Sequence, residues 1–101
     1  MADFVKVAQV SDVPVGGCRS AEAAGTPVAL FNVGGRIHAT QDLCLHMEGP
    51  LGEGDLDGSV VTCPWHAWQY DVTTGQCLTS PECALRTFEV KVEGDDVFLM
   101  V

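Results

Sequence analysis

Four side chains that commonly bind transition metals lie close together in the middle of the sequence, in CLHMEGPLGEGDLDGSVVTCPWH (44–66). One residue separates Cys44 from His46, two separate Cys63 from His66, and sixteen lie between the two pairs. Thiolate and imidazole ligands together suit zinc, copper or iron, and four of them suit a tetrahedral centre or an iron-sulfur cluster. These four residues are therefore the candidate metal ligands.

The mixed composition of each pair bears on the type of centre. Zinc fingers usually place two cysteines about two to four residues apart in one pair and two histidines in the other. Here each pair contains one cysteine and one histidine. If two loops face each other across a binuclear centre, each loop can give its thiolate to one metal and its imidazole to the other. A structural zinc site is the alternative.

Short strands and glycine turns must position these ligands. PVALFNV and RIHATQ flank Gly34-Gly35, which is a strong local signal for a β-hairpin. A second hairpin is predicted from 68–72, with its turn at 73–75, where Gly75 can adopt a positive φ.

The two ends of the chain also read as strands. TFEVKV (87–92) alternates apolar and polar residues, then turns at Gly94-Asp95 into 97–101, which predicts a third hairpin. FVKVAQV predicts a strand near the N-terminus, and SDVPVGG predicts a turn or a single helical turn. No stretch of about twelve residues has a helical pattern, so we expect an all-β fold, an antiparallel sandwich or small barrel.

The ligand segment interrupts this strand pattern. Pro50 and four glycines predict an irregular insertion between strands: Gly49, Gly52, Gly54 and Gly58. A long insertion in a compact domain is more often functional than idle.

Composition narrows the class of protein. With 101 residues the chain is expected to form one domain, 1–101, with a modest core. Five cysteines cannot all pair within the chain, and the N-terminus MADFVKVAQV lacks the features of a signal peptide, so metal binding or free thiols are favoured over disulfides. No apolar run approaches the roughly 18 residues of a membrane span, so we expect a soluble, cytoplasmic protein.

The net charge of -9, from 14 acids and 5 bases, argues against a nucleic-acid partner, which requires clustered Lys and Arg. A basic protein surface is the more natural partner, although the acidity could simply maintain solubility.

The motifs Cys44-x-His46 and Cys63-Pro64-x-His66 resemble the Rieske [2Fe-2S] motif, in which two cysteines bind one iron and two histidines bind the other. The resemblance covers almost the whole chain and implies a Rieske fold. It also implies a cluster-binding subdomain of two hairpin loops at about 42–83, with one [2Fe-2S] cluster as the cofactor.

Further segments match the same family: the glycine-rich stretch after His46, the run from Tyr70-Asp71 to Gly75, and Ser80-Pro81, which corresponds to the covering proline loop. In such a centre two thiolates cancel the +2 charge of the oxidised cluster, so it is neutral when oxidised and -1 when reduced. Four thiolates would give -2 and -3. This difference explains why Rieske potentials lie at about -150 to +300 mV rather than near -400 mV.

Three features separate the chain from respiratory Rieske proteins. Because no apolar run is long enough, we expect no membrane anchor, and Gly49 and Trp65 occupy the positions of the disulfide that joins the cluster loops in those proteins. Trp68 stands where they place a serine hydroxyl against the cluster. Because a lost donor makes the reduced state less stable, we expect a low potential. We assign Trp68 mainly to core packing.

Tyr70 departs from the phenylalanine that is frequent in stand-alone Rieske ferredoxins. In other branches of the family a tyrosine hydroxyl here can reach a ligand sulfur, which would raise the potential. The alternative is a tyrosine that is simply packed in the hairpin.

The chain lacks what an oxygenase or a reductase of these systems needs. After the cluster takes two histidines only His38 is left, too few for a mononuclear iron site with two histidines and a carboxylate. We interpret His38 as a structural or surface residue. The chain also has no strand-GxGxxG-helix pattern for a nicotinamide or flavin.

The resemblance therefore implies a carrier, not an enzyme. It points to the ferredoxin component of a bacterial aromatic-ring-hydroxylating dioxygenase system of the biphenyl, naphthalene or carbazole kind. Such a component is expected to be a monomer that passes single electrons from a flavin-containing reductase to a terminal oxygenase.

By family analogy His46 and His66 would form the electron exit. The expected surrounding rim is apolar and consists of Met47, Pro50, Trp65 and Pro81. Met47 and Trp65 could also shield the cluster from water. Such a rim suits a small, transient interface.

The remaining cysteines and acids have simpler interpretations. We expect Cys18, Cys77 and Cys83 to be free thiols, with the last two possible neighbours of the cluster. Near the cluster loop, one group of acids is expected to steer the protein onto basic partners: Glu48, Glu53, Asp55 and Asp57. Glu93, Asp95 and Asp96 belong to a distant turn.

Other functions remain open. Within redox chemistry these are the small Rieske-like subunit of an assimilatory nitrite reductase and a carrier for a monooxygenase. Outside it, the alternative is a structural zinc-binding interaction module.

Overall fold

The computed structural model describes residues 4–42, 50–64, 68–79 and 84–100. The strands in these ranges are β1 (Phe4–Gln9), β2 (Cys18–Ala23), β3 (Thr26–Val33), β4 (Arg36–Gln41), β5 (Asp55–Asp57), β6 (Val60–Thr62), β7 (Gln69–Asp71), β8 (Thr87–Phe88), β9 (Val90–Glu93) and β10 (Asp96–Met100). Two 3-10 turns, Val10–Asp12 and Leu51–Glu53, complete the regular structure there. All the strand pairs are antiparallel, which confirms the all-β prediction.

The strands form three sheets, with the orders β1-β10-β9, β2-β3-β4-β8 and β5-β6-β7. The second sheet is the middle layer, because its two faces contribute to two different cores. One core joins it to the β1-β10-β9 sheet through residues such as Leu30, Val97 and Leu99. The other joins it to the β5-β6-β7 sheet through residues such as Phe31 and Val61.

Strand β3 shows why the middle layer has two apolar faces. Side chains alternate along a strand, so Val28 and Leu30 point to one core and Ala29 and Phe31 to the other. All four are fully buried. The apolar run VALF is therefore a strand covered on both sides, whereas a strand with one wet face would alternate with polar residues.

The predicted glycine hairpin between β3 and β4 is confirmed. Val33 pairs with Arg36, and the two residues between them have positive φ, +61° at Gly34 and +98° at Gly35. This combination is that of a type I′ turn, whose twist matches that of the flanking strands. The third hairpin is also confirmed at its turn, where Glu93 pairs with Asp96.

The strand leading into that third hairpin was expected to be continuous, and this was wrong. The run 87–92 is divided at Glu89: β8 pairs with β4 in the middle sheet, while β9 pairs with β10 in another sheet. Phe88 is buried, but Val92 is 45% exposed. The segment is divided because its first part pairs with the edge of β4 and its second part with the edge of β10.

The prediction of an irregular insertion was also only partly right. Residues 51–53 form a 3-10 turn, but from Asp55 the glycine-rich segment becomes the β5-β6 hairpin, with Asp57 paired to Val60. Strand β2, which has no clear pattern in the sequence, pairs along its whole length with β3.

The remaining local predictions are confirmed. FVKVAQV forms β1 through Gln9, and the helical turn begins at Val10. The second hairpin turns at 72–74, and Gly75 has a φ of +82°. Its returning segment is held by Leu78 N–H, which donates to Gln69 O at 2.8 Å. Among the described residues, no helical segment has the length and hydropathy of a membrane span.

Candidate metal centre

The structure describes one of the four candidate ligands, Cys63. The other three, Cys44, His46 and His66, lie outside the described residues, as do Met47, Trp65 and Pro81. Trp68, Tyr70 and Pro50 are described. We call the segment that contains Cys44 and His46 the first arm, and the segment that contains Cys63 and His66 the second arm. The structure describes the residues that flank each arm, which we call its base.

Cys63 lies at the tip of the β6-β7 hairpin. Thr62 and Gln69 form the last pair of the ladder. Beyond them, Cys63 N–H donates to Trp68 O at 2.7 Å. This bond joins the described residues on either side of 65–67. Cys63 is thus held at the end of the β6-β7 ladder.

The base of the first arm is closed in a similar way. Leu51 N–H donates to Asp42 O at 2.6 Å, which joins the residues on either side of 43–50. Cys44 and His46 fall inside this closed segment. The residues that flank each predicted arm are therefore joined to each other by a main-chain hydrogen bond.

The two bases share one core. Leu51 and Cys63 are buried together with Tyr70, Cys77 and Val61, at exposures of 0 to 2%. Partly buried Trp68 packs against the same core, in agreement with the packing role expected for it. The fold thus brings the end of the first predicted arm and the start of the second to one apolar region.

The donor chemistry at this region fits a metal centre of thiolate and imidazole. Cys63 is 2% exposed in an apolar core, where an uncompensated thiolate would be poorly solvated and a bound cation would stabilise it. Within the described ranges there is no group of three or more His, Cys, Asp or Glu side chains placed to bind a metal.

Tyr70 is fully buried, and its position is opposite Val61 in the ladder and Cys77 in an isolated bridge. Among the described residues no buried side-chain nitrogen or oxygen lacks a hydrogen-bond partner. The Tyr70 hydroxyl is therefore hydrogen-bonded. The role suggested for it, donation to a ligand sulfur, stays a prediction.

Cys18 agrees with its expected state as a free thiol. Its Sγ lies 3.2 Å from Gly54 O and donates to it. Burial raises the pKa of the Cys18 thiol, and the nearby Asp55 and Asp42 carboxylates add to the effect. Cys77 is buried in the core of Cys63, near the base of the metal arms as expected, and Cys83 lies outside the described residues.

His38 is partly buried on β4, where it pairs with Phe31. Burial lowers its pKa below the usual 6.5, Arg36 acts in the same direction, and Asp71 opposes them. These surroundings agree with a structural histidine.

The acidic group near the first arm is exposed at its three described members, Glu53, Asp55 and Asp57. Glu48 lies outside the described residues. The distant acids Glu93, Asp95 and Asp96 lie at the β9-β10 turn, in the sheet on the far side of the middle layer.

One buried residue beside the first arm was missed by the sequence analysis. Asp42 is only 7% exposed, and its carboxylate accepts hydrogen bonds from Ser20 and Gly52. No pattern in the sequence distinguishes it from the many exposed acids, because its partners come from another strand and from a later turn.

The family model described as Rieske [2Fe-2S] domain matches residues 3–96. The chain belongs to this family. This Rieske domain therefore has one [2Fe-2S] cluster as its cofactor. It is 41% identical over 97 residues to the ferredoxin component of biphenyl 2,3-dioxygenase from Rhodococcus jostii (strain RHA1), an alignment that covers 95% of this chain and 91% of that protein.

Solved structures agree with the fold of this Rieske domain. A chain from the complex of reduced oxygenase and oxidized ferredoxin in carbazole 1,9a-dioxygenase superposes with a TM-score of 0.86 at 37% identity, over 96% of this chain and 92% of that one. A structure assigned as a nitrite reductase NADPH small subunit superposes with a TM-score of 0.82 at 25% identity, over 98% and 99% of the two chains.

Proposed function

We propose that this Rieske domain is an electron carrier that accepts single electrons from a flavin-dependent NAD(P)H reductase and delivers them to a terminal ring-hydroxylating oxygenase. The similarity to dioxygenase ferredoxin components carries this proposal, because it extends over nearly the full length of both chains. When bound, the cluster supplies reversible one-electron transfer. The protein contributes ligand placement and docking, and it is not the catalytic oxygenase.

The proposed ligands are Cys44 and Cys63 on one iron and His46 and His66 on the other. The position of Cys63 at a closed hairpin tip supports this assignment, as does the core that it shares with the base of the first arm. Trp68 and Tyr70 would border the centre from the second hairpin. The match of the family model to residues 3–96 supports a single domain over 1–101.

The proposed electron exit is the pair His46 and His66, surrounded by Met47, Pro50, Trp65 and Pro81. One similar solved structure is the complex of reduced oxygenase and oxidized ferredoxin in carbazole 1,9a-dioxygenase, which supports a terminal oxygenase as the acceptor here. The exposed acids of the 3-10 turn at 51–53 and of β5 would guide the encounter with basic partner surfaces. These are Glu53, Asp55 and Asp57.

A cytoplasmic location and a monomeric state belong to the same proposal. The free thiols among the described cysteines, Cys18, Cys63 and Cys77, are consistent with a reducing compartment. Size-exclusion chromatography with light scattering tests the monomeric state.

Metal analysis of the purified protein tests the ligand set. We expect a red-brown protein with about two irons and two acid-labile sulfides, the composition of a [2Fe-2S] cluster. Cys63→Ser should lose this colour and iron, whereas Cys18→Ser, which removes a thiol outside the ligand set, should retain them. A colourless protein with one zinc would instead establish the zinc-binding module, and iron retention in Cys63→Ser would refute the assignment of Cys63.

Electron transfer tests the proposed partners. The chemically reduced protein should be reoxidised rapidly by a ring-hydroxylating oxygenase and re-reduced by a flavin reductase with NAD(P)H, as followed by stopped-flow absorbance. Flavin reductase that reduces cytochrome c directly but not this protein would refute the reductase assignment.

A nitrite reductase small subunit is the second candidate, favoured by the superposition on a structure assigned to that class. The two functions differ in the acceptor. A stable complex with a nitrite reductase large subunit, together with no reoxidation by ring-hydroxylating oxygenases, would favour the second function. A monooxygenase would be recognised by the same assay with a different acceptor.

A further inference from the structure

The first ligand arm has a buried carboxylate at its base. Asp42 follows β4 directly, is 7% exposed, and is separated from Cys44 by one residue. Its Oδ1 accepts a hydrogen bond from Gly52 N–H at 2.9 Å and a second from Ser20 Oγ, also at 2.9 Å. One oxygen therefore connects β4, the 3-10 turn after the arm, and β2.

The backbone of Asp42 strengthens this connection. Its carbonyl accepts from Leu51 N–H at 2.6 Å, and its N–H donates to Pro27 O at 3.3 Å. The two residues that flank the arm, Asp42 and Leu51, are thus joined through the main chain, and the Asp42 side chain is bonded to the next residue, Gly52. A loop with fixed ends has far fewer conformations than one with free ends.

The Asp42 carboxylate is stabilised by uncharged hydrogen-bond donors, the Ser20 hydroxyl and the Gly52 N–H. Among the described residues the ion pairs are Lys6 with Asp96 and Lys91 with Glu93, so Asp42 takes part in none there. A carboxylate this buried is stable only when its hydrogen bonds are made, which makes the arrangement sensitive to the loss of either donor.

Close packing fixes the turn on which one donor lies. A Cβ at Gly52 would collide with the backbone of β2 at Arg19 and Ser20, so the turn 51–53 lies directly on that strand. The Cys18 thiol adds a bond to Gly54 O at 3.2 Å. The Gly52 N–H is therefore presented to Asp42 from a rigid support.

We propose that Asp42 is a positioning residue for the metal centre: its Oδ1 locks the two ends of the 43–50 arm and thereby sets the placement of Cys44 and His46. This inference rests on the proposed ligand set. Groups that orient ligands from outside the coordination sphere commonly change metal affinity by about 10- to 100-fold when they are removed. Asp42 would act in this way through the ligand-bearing chain.

Four variants of the cluster-loaded protein test the proposal. Asp42→Ala removes the acceptor, Asp42→Asn keeps an Oδ1 acceptor without the charge, and Ser20→Ala removes one donor. Glu22→Ala is the matched control, because it removes an exposed carboxylate from β2, the strand of Ser20. Iron release to a chelator is measured beside unfolding by circular dichroism, and the reduced proteins are compared by electron paramagnetic resonance.

We expect Asp42→Ala to release iron about 10- to 100-fold faster than the wild type, at a rate above that of unfolding, and to show altered g-values. Ser20→Ala should show a smaller acceleration. Asp42→Asn should be rescued to near the wild-type rate and spectrum, and Glu22→Ala should match the wild type.

Several results would overturn the proposal. These are wild-type iron release and g-values in a folded Asp42→Ala protein, or an Asp42→Asn protein as defective as Asp42→Ala. If Asp42→Ala does not fold, Ser20→Ala decides, and its equality with the wild type refutes the lock. A wild-type protein without iron and sulfide would refute the ligand set itself, a result distinct from all of these.

Discussion

Replacing Tyr70 with phenylalanine should lower the midpoint potential of the bound cluster. The side chain is fully buried in the core of Cys63, and its hydroxyl is hydrogen-bonded. If that hydroxyl donates to a ligand sulfur, the bond stabilises the reduced centre more, because reduction adds a negative charge. Phenylalanine keeps the ring and removes only the donor.

The size of the shift follows from the energy of one buried hydrogen bond. Such bonds contribute about 0.5–1.5 kcal/mol between neutral groups and about 1.5–3 kcal/mol when one group is charged, a difference of about 1 kcal/mol. A tenfold change in an equilibrium is about 1.4 kcal/mol and, for one electron, about 59 mV, so the expected decrease is about 40 mV.

Protein-film voltammetry on wild type and Tyr70→Phe measures the shift, with Trp68→Phe as a control for altered packing against the same core. Urea unfolding of the same proteins separates the two possible roles. An unchanged potential with stability lower by about 1 kcal/mol would refute the reasoning, since the hydroxyl would then serve the fold alone.

Three other properties should respond in defined directions. Because the folded-state pKa of His38 is lowered, the unfolded chain takes up the proton first, so stability falls as the pH drops below about 6.5; urea midpoints at two pH values should show a smaller acid loss in His38→Gln. Gly75→Ala should lower the melting temperature more than Gly58→Ala. Both positions have a positive φ, which costs an alanine about 1–2 kcal/mol, but only at Gly75 would the Cβ also collide with Leu85 O. Reduction by a flavin reductase, followed by stopped-flow absorbance, should slow as added salt shortens the Debye length from about 10 Å toward 3 Å. Neutralising the exposed acids Glu53, Asp55 and Asp57 should make the reduction rate less dependent on salt.

Equal urea midpoints for His38→Gln and wild type across the pH range would show that protonation of His38 does not cause the loss of stability in acid. Equal melting temperatures of the two alanine variants would show that the crowding at Gly75 is relieved without cost. A salt profile that stays flat in the wild type would exclude steering by charge.

Local features of the fold were predictable because their causes are local. Gly34-Gly35 can adopt the positive φ of a tight hairpin wherever it occurs, and the turn at Gly94 follows from the same freedom. The alternating ends of the chain also form strands as expected.

Features that depend on distant partners were not predictable in this way. The break at Glu89 exists because β4 and β10 both accept parts of one strand-like run. Strand β2, CRSAEA, has little apolar pattern of its own, and it becomes a strand because β3 pairs with it. The mixed cysteine-histidine pairs and their resemblance to the Rieske motif can be read from the sequence. The buried state of Asp42 cannot, because it depends on Ser20, 22 residues earlier in the chain.

The middle sheet also has a practical consequence for handling the protein. Since β3 carries a separate core on each face, the β9-β10 turn lies on the side of this layer opposite the core of Cys63. A single cysteine or affinity tag introduced at that turn would attach the molecule to an electrode or sensor chip by its back. The proposed electron exit would then point toward solution, where partner proteins could reach it.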